Sequence, residues 1–153
     1  MNPIAGLFET YLNVRAPKRS MRFYQDVLSL ELGYVESARR VATCWLGGRG
    51  EVILGLWEKP ADQIQRQLFA FRTTLEQMRA IRAYLTKRGL TYRHFLGDGT
   101  VALHVFGWMP TVHFDDPDGQ PLEFIAMLPD DPQPELGVIP WERWERLHDR
   151  GEP

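Results

Sequence analysis

A single cysteine, Cys44, stands in the 153 residues of this chain. That excludes an intramolecular disulfide and a cysteine-built zinc cluster, and its place in the apolar run VATCWL makes an inert, buried thiol the expectation. No apolar run approaches the roughly 20 residues of a membrane span, and the first residues lack the basic-then-apolar order of a secretory leader. Charge of one sign is lacking too. Lys and Arg number 18 against 20 Asp and Glu, interleaved, for a net charge of −2, so there is no basic face for a nucleic acid. The one glycine-rich loop, Gly47-Gly48-Arg49-Gly50, has no lysine and opens no helix, which removes a phosphate cradle. The expectation is a soluble, cytoplasmic protein with neither membrane nor nucleic-acid partner.

What is present suits a packed domain: 44% hydrophobic residues, with 12% aromatic, on a chain long enough for a real core. A first strand is expected at about Phe8 to Val14, followed by a helix capped by Ser20 and running to about Leu30. Met21, Tyr24, Val27 and Leu28 form its apolar stripe. Strands at about Leu32 to Glu36, Val41 to Leu46 and Glu51 to Glu58 follow, the last two joined by the glycine loop. After a polar linker the order recurs. A strand at about Gln67 to Thr73 leads to a helix with the capping-box pair Thr74 and Gln77, apolar positions Leu75, Met78, Ile81 and Leu85, and Gly89 as its stop. Strands are then read at about Thr91 to Leu96, Ala102 to Phe106, Thr111 to Phe114 and Pro121 to Leu128. Such a repeat of roughly 60 residues implies two βαβββ units, since each alone leaves an open sheet. The units span about residues 7–58 and 66–128. Residues 129–153 read as a proline-rich connector and a short helix from about Pro140 to Asp149, with Trp141, Trp144 and Leu147 on one face.

The most informative stretch is Val112 to Met127, VHFDDPDGQPLEFIAM. Asp116-Pro117-Asp118-Gly119 is a turn between two strands, and the second strand carries one carboxylate, Glu123, among apolar neighbours. Either Glu123 faces water from one side of the sheet, or it is buried, where an unpartnered charge would cost several kcal/mol or force a pKa shift.

With Leu12, Val14, Ser20, the FYQDVL of residues 23–28 and the DPDGQPLEF of residues 116–124, the pattern over about residues 7–128 resembles the vicinal oxygen chelate superfamily. That group includes glyoxalase I, fosfomycin-resistance proteins, extradiol dioxygenases and bleomycin-binding proteins. The resemblance implies an α+β fold in which two βαβββ units curl a mixed sheet into a cup, and a homodimer. It also implies metal ligands at Glu9 and Glu123. The usual histidine of the second unit is replaced by Leu68, in Leu68-Phe69-Ala70-Phe71, and the fourth position falls near Leu54 or Gly55; neither can donate. His113, on the strand before Glu123, is the candidate third ligand or acid if it shares a face with Thr111. Tyr11 should share the face of Glu9 and offer a phenol to a substrate oxygen.

Three functions follow from the resemblance. The first is a glyoxalase-like lyase or isomerase in which a divalent Ni, Mn, Mg, Fe or Zn ion holds adjacent oxygens of a small substrate, with Glu9, Glu123 and His113 as ligands and catalytic groups. The second is a metal-free enzyme in which Glu9 and Glu123 share a proton. The third is a binding or sequestration protein of the bleomycin-resistance type, with Tyr11, Phe69, Phe71 and Trp108 lining an apolar pocket.

Overall fold

The computed structural model describes residues 3–93, 104–106 and 109–148. It is an α+β structure of two compact units, Met1–Gln67 with Asp116–Gln120, and Leu68–Asp115 with Pro121–Pro153. No helix among the described residues is long and apolar enough to cross a membrane.

The first unit runs β1 (Glu9–Val14), α1 (Pro17–Asp26), β2 (Glu31–Glu36), β3 (Val41–Leu46) and β4 (Val52–Glu58). Its sheet has the order β1-β4-β3-β2, with β1 parallel to β4 and the other pairs antiparallel. Alternation sends Leu12 and Val14 of β1, with Leu54 and Leu56 of β4, into a core shared with Met21 and Tyr24 of α1. Helix α1 begins three residues before the expected cap. Pro17, with its φ preset and no N–H to leave unpaired, occupies the first turn, and Ser20 is a buried residue inside the helix.

Within this unit the segment Asp116–Gln120 is held by its side chains. Asp116 Oδ1 accepts the backbone N–H groups of Asp118 and Gln120, both at 2.8 Å, and Oδ2 accepts the Tyr24 hydroxyl at 3.1 Å. Burial raises the pKa of both the Asp116 carboxyl and the Tyr24 phenol. Asp118 accepts the Arg15 N–H at 3.0 Å and the Ser20 hydroxyl at 3.4 Å, and pairs with the guanidinium groups of Arg15 (3.3 Å) and Arg19. The fully buried Gln120 accepts from Gln67 N at 2.9 Å and donates to the carbonyls of Asn13 (3.2 Å) and Gln65 (3.0 Å). Gly119 takes φ +79°, which a side chain would resist.

Cys44 of β3 is fully buried, with its thiol 3.2 Å from Met21 Sδ, and burial pushes its pKa up to about 11. Its contribution to stability is therefore constant through neutral pH and is lost only as pH rises from the ordinary value of 9.0 towards about 11. At pH 8 only about one thiol in a thousand would be ionised. Iodoacetamide at that pH should leave the native protein unmodified over hours and label it within minutes in urea; rapid native labelling would contradict this burial.

The second unit runs β5 (Phe69–Arg72), α2 (Leu75–Lys87), β6 (Tyr92–Arg93), β7 (His104–Phe106), β8 (Met109–Asp115), β9 (Pro121–Ile125), β10 (Val138–Pro140) and α3 (Trp141–His148). The sheet order is β10-β7-β8-β9-β5, with β6 also paired to β8 and β5 parallel to β9. The expected capping box is present: Thr74 accepts from Gln77 N at 3.1 Å and Thr74 N donates to Gln77 Oε1 at 3.0 Å. At the other end Leu90 N bonds Leu85 O and Gly89 N bonds Thr86 O, the paired closure of a Schellman stop. Phe124 stacks on Phe114 at 5.0 Å and meets Tyr84 of α2 edge-on at 6.3 Å.

Strand β10 has no counterpart among the expected elements. Pro140 was expected to open a helix; it closes this strand instead, and α3 begins at Trp141. The proline is tolerated because β10 is an edge strand. Trp141 is buried and stacks on Trp144 at 5.2 Å, whereas Leu147, expected on the same face, is exposed.

Candidate functional site

Strands β8 and β9 carry the site. Their antiparallel register sets His113 directly opposite Glu123 and Thr111 opposite Ile125. With period-two alternation, these four side chains share one face of the sheet, while Val112, Phe114, Leu122 and Phe124 take the other. Thr111 is 6%, His113 5% and Glu123 8% exposed, so a carboxylate and an imidazole face each other out of water. Thr111 Oγ1 donates to Glu123 Oε1, and the His113 Nε2 lies 3.9 Å from the same oxygen. The Thr111 hydroxyl has one proton, committed to Glu123. Oγ1 also lies 3.4 Å from His113 Nδ1, which completes the group. Glu123 Oε2 has no hydrogen-bond partner among the described residues.

A cavity of about 80 Å³ opens on this group, lined by Leu68, Met109, Thr111, His113, Glu123, Ile125 and Val138. Apart from the three polar residues its walls are aliphatic. In such surroundings a carboxylate attracts a donor or a cation more strongly than in water.

Glu9 and Tyr11 belong to the first unit, where the Tyr11 hydroxyl donates to Glu9 Oε2 at 3.4 Å and Glu9 is exposed. Desolvation and the neighbouring Glu9 charge raise the Tyr11 pKa. The Tyr11 ring lies against Gly55, where a Cβ would collide with it, and 6.0 Å from the Trp57 ring. Leu54 is a core residue. Phe71 packs on Phe124 at 6.2 Å, and by alternation Phe69 shares that side of β5, opposite Leu68. Trp108 lies outside the described residues. The structure thus brings His113 and Glu123 together with Thr111, and Glu9 with Tyr11. Period-two alternation pointed to Thr111. Val138 carried no such signal, because β10 was not expected.

A resident metal would need more donors than this cavity offers. No group of three or more His, Cys, Asp or Glu side chains among the described residues is arranged to hold an ion. His113 and Glu123 provide two donors, and the Leu68 side chain faces the same cavity. Protein-held divalent sites ordinarily use three or four. The described residues do not fit a metal held by this chain alone.

Residues 4–124 match the Glyoxalase/Bleomycin resistance protein/Dioxygenase superfamily, and the chain belongs to it. Among solved structures it is similar to an integron cassette protein from the mobile metagenome of the Halifax Harbour sewage outfall, at 28% identity and TM-score 0.67, covering 81% of this chain and all of that one. It is also similar in fold to the fosfomycin resistance protein FosX of Listeria monocytogenes (20% identity, TM-score 0.63, covering 81% of this chain and 93% of that one). The antibiotic-binding protein TnmS3 of Streptomyces sp. CB03234 aligns comparably, at 18% identity and TM-score 0.63, covering 83% of this chain and 99% of that one. No curated protein gives a significant sequence match.

Proposed function

We propose that this chain is a small-molecule-binding member of the superfamily that captures a compact ligand by its hydrogen-bond-donating or cationic end. The observation that carries this is Glu123, buried on an aliphatic cavity with one carboxylate oxygen left unbonded among the described residues. A donor on the ligand would complete the carboxylate's hydrogen bonding, and the walls of Leu68, Met109, Ile125 and Val138 would enclose its apolar part. Thr111 holds the other oxygen and fixes the carboxylate's orientation. His113, hydrogen-bonded through Nδ1, presents Nε2 towards the same group and would exchange a proton with a bound ligand. TnmS3, an antibiotic-binding protein of the same fold, agrees with the binding reading.

A second reading keeps the metal-assisted lyase or isomerase. His113 Nε2 and Glu123 Oε1, 3.9 Å apart, would have to close to the roughly 3.0–3.4 Å of adjacent ligands on one cation, and a substrate's adjacent oxygens would complete the shell. One titration separates the two readings. The purified protein is incubated with Ni²⁺, Mn²⁺ or Zn²⁺, desalted and assayed for metal, and binding of propylammonium or phenol is followed by intrinsic fluorescence. Ligand binding without retained metal is expected. One ion retained per chain, lost on His113→Ala, would favour the lyase reading and overturn the first. The resemblance also implies a homodimer, which we include in the proposal; sedimentation checks it.

A further inference from the structure

The cavity has one wall from outside the family match. Residues 4–124 carry that match, yet Val138, in the segment that follows, lines the cavity beside Glu123, Met109 and Ile125. The placement is built rather than incidental. Strand β10 pairs with β7 in the register Val138↔Phe106, Ile139↔Val105 and Pro140↔His104. Strand β7 in turn pairs Phe106 with Met109 of β8. Val138 and Met109 therefore lie in one row across the sheet, two strand spacings or about 10 Å apart.

The anchors of β10 are on its other side and beyond its end. Ile139 is 2% and Trp141 3% exposed, and Glu142 of α3 is paired with Arg82 of α2 at 2.7 Å. Trp141, Trp144 and His148 form a continuous stack with centroid spacings of 5.2 and 4.6 Å. His148 closes that stack onto the connector through Gln133 at 2.9 Å. A strand held at both ends holds Val138, its first residue, at a fixed depth.

We infer that the β10–α3 segment is a specificity wall of the cavity, in which the size of Val138 sets the length of ligand admitted, and that the ligand end it admits is a short primary ammonium. This rests on the ligand-binding reading of the same cavity. The cavity's 80 Å³ has room for about three water-sized groups. An ammonium on a short alkyl chain matches both the buried carboxylate and the aliphatic walls. Removing two methyl groups at Val138 lengthens the space; a phenylalanine there fills it.

The test uses the full chain, Val138→Ala and Val138→Phe, with the n-alkylammonium ions from methyl to hexyl as probes in calorimetric titrations. The wild type should bind best at a short chain. Val138→Ala should move the optimum one or two carbons longer, and Val138→Phe should weaken every member at least tenfold. A second readout needs no ligand: the rate at which diethyl pyrocarbonate modifies His113, read by mass spectrometry, should rise at least threefold in Val138→Ala and fall in Val138→Phe. Should the probes bind while neither the length profile nor the His113 rate moves by more than twofold, the wall is overturned and the binding reading stands. Should the His113 rate respond while no ammonium binds any variant, the wall stands and the ligand assignment is overturned.

Discussion

Asp118→Ala is expected to cost the protein about 2–3 kcal/mol of stability. The Asp118 side chain is fully buried, and it answers a backbone N–H of Arg15, the hydroxyl of Ser20 and two guanidinium groups. The guanidinium groups of Arg15 and Arg19 are about half exposed, so water screens them and the ion pairs themselves add little. The larger part of the loss comes from the Arg15 N–H and Ser20 hydroxyl left without an acceptor. Asp118→Asn should therefore recover roughly half, because its carbonyl oxygen still accepts those bonds. Urea unfolding of the three proteins measures this directly. Equal losses for Ala and Asn would mean that charge, not hydrogen bonding, holds the segment.

The second large effect runs in the opposite direction. Glu123→Leu is expected to abolish ligand binding while leaving stability unchanged or raised by about 1 kcal/mol. Among the described residues Glu123 has one hydrogen-bonded oxygen, and a carboxylate kept largely out of water with so few partners is a burden on the fold. Leucine puts an apolar side chain in the same space and leaves no carboxylate charge on the cavity wall. A group kept for function at the expense of stability behaves in this way. Glu123→Gln preserves the shape and one acceptor but loses the charge, so affinity for alkylammonium probes should fall about 10- to 100-fold, the equivalent of one charge-assisted hydrogen bond of about 1.5–3 kcal/mol. If Glu123→Leu instead unfolded the protein by several kcal/mol, Glu123 would be a structural residue and the proposed site would be lost. Thr111→Val, nearly isosteric, should weaken binding less, since it frees the carboxylate to turn rather than removing it.

Legibility from sequence differed sharply between local and distant features. Thr74, Gln77 and Gly89 delimit α2 because caps and stops act over three or four residues. The start of α1 was misplaced for the same local reason, Pro17 offering a first-turn position that Ser20 did not need to fill. Strand β10 is not legible in the sequence because its three residues, Val138–Pro140, are too few to show a periodicity. Its strand character comes from β7, far away in sequence.

By itself, the amino-acid order determined the α+β class, the twofold recurrence of a strand–helix–strand pattern, the turn at Asp116–Gly119 and the presence of a lone carboxylate in an apolar strand. Those features depend on side-chain period and on turn chemistry within a few neighbours. Only the tertiary structure decided that Glu123 meets His113 and Thr111, that Leu68 and Val138 close the space around them, and that Phe71 turns to the opposite face. A shift of one residue in strand register would exchange those faces, and register is set by pairing between strands rather than by any stretch of chain alone.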